Sequence, residues 1–103
     1  MRLIFFIIVL LIAGCGHFYL EEGLEKFNNN DYQSAYDKFM ECFKETKDPG
    51  CLHNAGVSVA LMGDKKAAIE IFTLAARYGE RNAIAQLKKM DEPVPAPDLY
   101  GEL

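Results

Sequence analysis

The feature that most restricts what this chain can fold into is its resemblance to itself. Asn30-Asp31-Tyr32-Gln33-Ser34-Ala35-Tyr36-Asp37-Lys38-Phe39 matches Gly63-Asp64-Lys65-Lys66-Ala67-Ala68-Ile69-Glu70-Ile71-Phe72 at an offset of 33 residues. The same shift carries Tyr19 onto Leu52, Gly23 onto Gly56 and Cys42 onto Ala75. A unit of this length cannot bury its apolar face alone and is stabilised by stacking on its neighbours. The period within each copy is helical. Ala35, Tyr36, Phe39, Cys42 and Phe43 fall on one helical face, as do Ala68, Ile69, Phe72, Ala75 and Ala76. Preceding helices are expected over about residues 18–28 and 51–62, with Gly23 and Gly56 inside them. A mid-helix glycine costs about 1 kcal/mol relative to alanine, so close approach of a neighbouring helix is the expected reason for each. Asp31 and Asp64 stand where they can cap the second helices or lie in their first turns, and Asp48-Pro49 opens a third helix with a cap and a proline at its first position. A fifth helix, about 81–90, places Ala83, Ile84 and Leu87 on one face and closes the open edge. The expected fold is therefore all-α: a short α-solenoid of antiparallel helix pairs, two repeats plus a capping helix, over residues 18–90.

The amino terminus is of a different kind. Twelve of the first 14 residues are apolar, and Leu3 to Ile12 is unbroken. Ten apolar residues at about 1.5 Å each cover half of a bilayer core that needs about 20, so 1–14 reads as a signal peptide rather than a membrane span. Ile12-Ala13-Gly14-Cys15 resembles the bacterial lipobox. That resemblance implies diacylation of the Cys15 thiol and cleavage before it, with 15–17 as a lipidated linker. Each buried CH₂ contributes about 0.8 kcal/mol, and two or three acyl chains hold durably where one does not. Gly16 in place of aspartate implies, by the sorting rule of enteric bacteria, the outer membrane. The expected location is the bacterial cell envelope, lipid-anchored and facing the periplasm; an ordinary secretory leader with an incidental cysteine is the alternative.

The repeat pattern, an aromatic residue or leucine followed by Gly, Ala, Phe and Ala at fixed spacing, resembles two tetratricopeptide repeats. The run Ala75-Ala76-Arg77-Tyr78-Gly79 with the Ala-rich segment to Leu87 is similar to the Sel1-like subclass, although 33 residues is shorter than the usual Sel1-like unit and Lys65 stands where the first copy has Tyr32. The resemblance covers residues 19–90. It implies a concave surface on which first-helix side chains contact an extended partner, with Glu22, Lys26, Asn54 and Ser58 as the candidates.

Cys42 and Cys51 flank one expected turn, where antiparallel neighbours bring helix ends together. In an exported chain a disulfide is expected there, as the resemblance to cysteine-bearing Sel1-like proteins also implies; two buried thiols are the alternative. No metal site is expected, because His17 and His53 lack ligand spacing to the cysteine pair. No cofactor is expected: the glycines occur singly, with no phosphate-cradling loop. Ser34, Ser58, Thr46, Thr73 and the histidines assemble no nucleophile and base, and adjacent Glu21 and Glu22 point to different sides of a helix, so enzymatic activity is not expected. Beyond the leader, 10 basic side chains face 15 acidic ones, which argues against nucleic-acid binding.

Residues 91–103 alternate proline with small or apolar residues and are expected to be extended. Leu99 and Tyr100 would be the anchors if this tail docks on its own repeats or on a partner; simple disorder is the alternative. The expected function is that of a lipid-anchored module binding another envelope protein or peptide. The alternatives are a Sel1-like protein acting on peptidoglycan fragments or β-lactams, and a purely structural lipoprotein.

Overall fold

A computed structural model describes residues 15–97, with side chains from Phe18 onward. The expected signal peptide and the anchors Leu99 and Tyr100 lie outside the described residues, and of Cys15 only the backbone is described. The helices are α1 (Cys15–Asn28), α2 (Tyr32–Thr46), α3 (Pro49–Leu61), α4 (Lys65–Arg77) and α5 (Arg81–Lys89). Each packs on the next along the chain, with α3 also touching α5, and there is no strand among the described residues. This is the all-α stack of antiparallel neighbours expected from the repeat, with α1 beginning three residues earlier than the periodicity indicated.

The turns explain the repeat length. α1 ends where Asn30 takes the left-handed conformation (φ 63°), and α3 ends in the same way at Gly63 (φ 90°). At each site two backbone N–H groups fold back onto the helix's last carbonyls: Asn30 donates to Phe27 and Asp31 to Lys26, while Gly63 donates to Ala60 and Asp64 to Val59. These paired bonds satisfy carbonyls that a helix end otherwise leaves open. The residue that completes the stop also begins the next helix. The Asp31 carboxylate accepts from the Ser34 N–H at 3.2 Å, and that of Asp64 from the Ala67 N–H at 3.0 Å. Both aspartates are thus N-caps. Gly79 (φ 83°) and Glu80 repeat the arrangement before α5, with the Glu80 carboxylate accepting from the Ala83 N–H. The α2–α3 turn differs: Lys47 is left-handed, and Asp48 caps α3 ahead of Pro49.

Two phenylalanines hold the stack. Phe39 of α2 and Phe72 of α4 occupy equivalent positions and are both buried. Phe39 sits with Ala35 and Ala55; Phe72 sits with Leu52, Val59, Ala68, Ala75, Ala76, Ala83 and Leu87. Each ring lies close against the glycine of the preceding helix. A Cβ at Gly23 would come within 2.6 Å of Phe39 Cε1, and one at Gly56 within 2.5 Å of Phe72 Cε1. The close approach expected at both glycines is therefore made by a ring of the second helix of the same unit. α3 is covered on two sides, since Ala55 packs with Ala35 and Phe39 of α2 while Gly56 receives Phe72 of α4.

Because the buried Phe72 ring stands within 2.5 Å of where a Cβ at residue 56 would lie, Gly56→Leu is expected to destabilise the fold by about 1 to 3 kcal/mol through overpacking. Thermal unfolding of the full chain measures this. Gly56→Ala should cost less in a Phe72→Leu background than in the wild type; equal costs in the two backgrounds would show that glycine and ring are not coupled.

Candidate functional site

The first helices of the two units, α1 and α3, lie on the same side of the stack, and the space between them forms a shallow hollow. Leu24 and Phe27 from α1, the Phe39 ring from α2, and His53, Asn54 and Val57 from α3 line it. The repeat explains this composition. Leu24 and Val57 are equivalent residues, each one position beyond its glycine, so the tight packing at Gly23 and Gly56 turns them toward the open side. The hollow measures about 130 Å³. Small-molecule sites usually exceed about 300 Å³, whereas this volume suits a single apolar side chain. Leu24 stands at its edge, 42 % exposed.

A second, acidic hollow lies along α1 itself, between Phe18, Glu21, Glu22 and Glu25. Glu21 and Glu22, about 100° apart on the helix, both border this depression, Glu21 exposed and Glu22 half-buried. Lys38 of α2 approaches Glu22 Oε1 at 3.3 Å and also lies 5.8 Å from the centre of the Tyr19 ring. Glu22 Oε2 is buried without a hydrogen-bond partner.

The four expected groove residues separate. Asn54 lines the apolar hollow, while Glu22 belongs to the acidic one and is held by Lys38. Lys26 is half-buried, three residues from Gly23 and so on the flank of α1 that meets α2. Ser58 is corrected outright. It is 0 % exposed, and its hydroxyl donates to the Asn54 carbonyl one turn back at 2.9 Å, so it cannot touch a partner. A serine alone gives no sign of this, but its neighbours Ala55 and Val59 are core residues. Leu24, Phe27, Phe39, His53 and Val57 were not singled out as binding residues. The signal that could have found them is the shared register of Leu24 and Val57.

His53 sits half-buried with its ring 5.8 Å from that of Phe72, and its Nε2 is buried without a hydrogen-bond partner. Among the described residues there is no group of three His, Cys, Asp or Glu able to hold a metal ion, and no helix long and apolar enough to cross a membrane. From Glu92 to Pro97 the tail has no regular structure, and Val94 is 38 % exposed. As far as Pro97, then, the tail does not fill the hollow.

Cys42, late in α2, and Cys51, in the first turn of α3, are both buried and lie at disulfide distance, with Cα atoms 5.9 Å apart. The α2–α3 turn that brings them together is the one without the paired helix-stop bonds. Compared with known proteins, the chain matches no family model, no curated protein and no solved structure.

Mass spectrometry of the protein prepared without reductant is expected to show residues 42 and 51 in one crosslinked peptide. A loop of this length contributes about 2.5 to 3 kcal/mol in the chain-entropy account, so Cys42→Ala/Cys51→Ala should unfold at lower denaturant. Recovery of both thiols alkylated from the folded protein would refute the pairing.

Proposed function

We propose that this chain is a lipid-anchored helical-repeat module of the bacterial cell envelope that binds another protein, with the hollow between α1 and α3 as its contact site. The observation that carries the reading is that hollow: apolar, open, and of a size for one side chain rather than a cofactor. A site of this kind holds an extended segment by inserting one anchor and leaving the remaining contacts at the rim. Leu24, Asn54 and Val57 are the contacting residues, and both lining helices pack on α2, α1 through Gly23 on Phe39 and α3 through Ala55. The role is that of an adaptor without catalysis.

Anchoring through Cys15 complements a short groove. Confinement to a membrane surface raises the effective concentration of a partner held on the same surface, so modest intrinsic affinity is sufficient. The Ile12-Ala13-Gly14-Cys15 sequence supports acylation at this cysteine, and outer-membrane sorting follows from Gly16 by the same resemblance. The cysteine pair suits an oxidising compartment, which is consistent with export.

Two measurements test the reading. Metabolic labelling with a palmitate analogue should mark the wild type and miss Cys15→Ser; equal labelling of both would remove the anchor. A photoreactive residue placed at Asn54, activated in living cells, should yield an adduct with one defined envelope protein. An adduct carrying a glycan would instead support action on cell-wall fragments, and absence of any adduct would leave a structural lipoprotein.

A further inference from the structure

α1 has no slack at its start. Residues 15–17, expected as a lipidated linker, belong to the helix, which runs from Cys15 to Asn28. Immediately before it stand 14 residues of which twelve are apolar. On the anchored reading, the acyl chains therefore join the first residue of a helix that is itself packed on α2. Attachment of this kind fixes how the whole stack is held on the bilayer.

Phe18 follows Cys15 by three residues, about 4.5 Å along the helix axis and on the same flank. It is 60 % exposed. The repeat shows that this position is elsewhere a covered one: its equivalent in the second unit is Cys51, buried beside Cys42 of α2. The next two residues of α1 turn inward. Leu20 packs on the cluster of Ala35, Phe39 and Ala55, and Tyr19 is half-buried beside Lys38 of α2.

The flank that begins with Phe18 turns acidic within one turn. Glu22 and Glu25 border the same depression as Phe18, and Glu25 is exposed about 15 Å along the axis from Cys15. A headgroup layer is about 5 to 7 Å deep, so Phe18 falls within it and Glu25 beyond it. A helix lying in the membrane plane carries basic residues along its polar face, whereas α1 has Lys26 against Glu21, Glu22 and Glu25. Lengthwise immersion would bring carboxylates into the interface; immersion of the first turn does not.

We propose that the first turn of α1 is a membrane-contact surface: Phe18 enters the headgroup layer of the bilayer that receives the acyl chains of Cys15, and the stack stands on it end-on. This rests on the lipid-anchor reading and adds the seating of the domain. Because neighbouring helices are antiparallel, the α2–α3 and α4–α5 turns lie at the membrane end, and the turns at Asn30 and Gly63 at the far end. Leu24, nine residues from Cys15, is held about 14 Å from the anchor. The apolar hollow then meets partner segments in a thin layer close to the bilayer.

The chain contains no tryptophan, so one substitution supplies a depth probe. The full-length acylated protein is prepared with Phe18→Trp and, separately, with Asn29→Trp, and reconstituted in vesicles of phosphatidylethanolamine and phosphatidylglycerol. Both positions are exposed, and residue 29 lies three turns further along the same flank. Phospholipid brominated near the top of its acyl chains is expected to quench the Phe18→Trp protein roughly threefold more than the Asn29→Trp protein, with the order reversed for aqueous iodide. Equal lipid quenching at both positions would mean that α1 lies flat, and equal iodide quenching that the domain hangs from a slack tether. Shielding of the Phe18→Trp fluorophore from both quenchers would mean that a protein surface, or residues 98–103 of the chain, covers it. Each of these overturns the end-on seating while leaving the anchor in place if palmitate is present. Equal palmitate labelling of the wild type and Cys15→Ser removes the anchor and the seating with it.

Discussion

The contact on which this structure depends is a phenylalanine ring laid against a bare helix backbone, made twice. Phe39 on Gly23 and Phe72 on Gly56 bring the two helices of each unit nearer than any side chain at the glycine position would permit. Glycine in mid-helix sacrifices about 1 kcal/mol of propensity, which the burial of a large ring at about 25 cal/mol per Å² of apolar surface readily outweighs. The open side depends on that approach together with the packing of Ala55 on Phe39, which sets α3 beside α2. With the pair drawn together at the glycine, the residue after it faces outward, and Leu24 and Val57 become neighbours across the hollow.

The amount of this legible in the sequence differed with the physics involved. Helix identity, order and caps were legible because they depend on local signals: the recurring Asp after Asn30 and Gly63, the Asp48-Pro49 start, and the spacing of Ala35, Phe39 and Cys42 against Ala68, Phe72 and Ala75. The tight glycine contacts were legible because the repeat marked both at once. The site was only partly so. Asn54 lines the hollow, but Ser58 is buried, because the burial of a small polar side chain depends on which flank of α3 its neighbours cover. Its hydroxyl satisfies itself on the Asn54 carbonyl, so a hidden serine leaves no trace of need in the sequence. The hollow could not be read from periodicity, since it arises between residues of α1, α2 and α3.

The first helices of the two units end in the same way but have unequal surroundings. α3 lies between α2 and α4 and carries small residues, Cys51, Ala55 and Ser58, toward the former. α1 has a described helix on one side alone, and the matching positions hold Phe18, Glu22 and Glu25. Terminal units of helical arrays commonly expose a polar outer face, and the Glu22–Lys38 pair fits that pattern. Phe18, 60 % exposed beside these carboxylates, does not fit it.

Asp31, Asp64 and Glu80 each finish one helix with a backbone N–H and start the next with a side chain. Sharing one residue between two ends removes any slack between them. Fraying at the end of α3 releases Asp64 from Val59 and at the same moment loosens the first turn of α4, so local opening spreads to the adjoining element instead of halting at the turn. The α2–α3 junction has no such shared residue, and it is there that Cys42 and Cys51 lie side by side. Cooperativity along the array is therefore transmitted by hydrogen bonds at three junctions, and at the fourth by the cysteine pair.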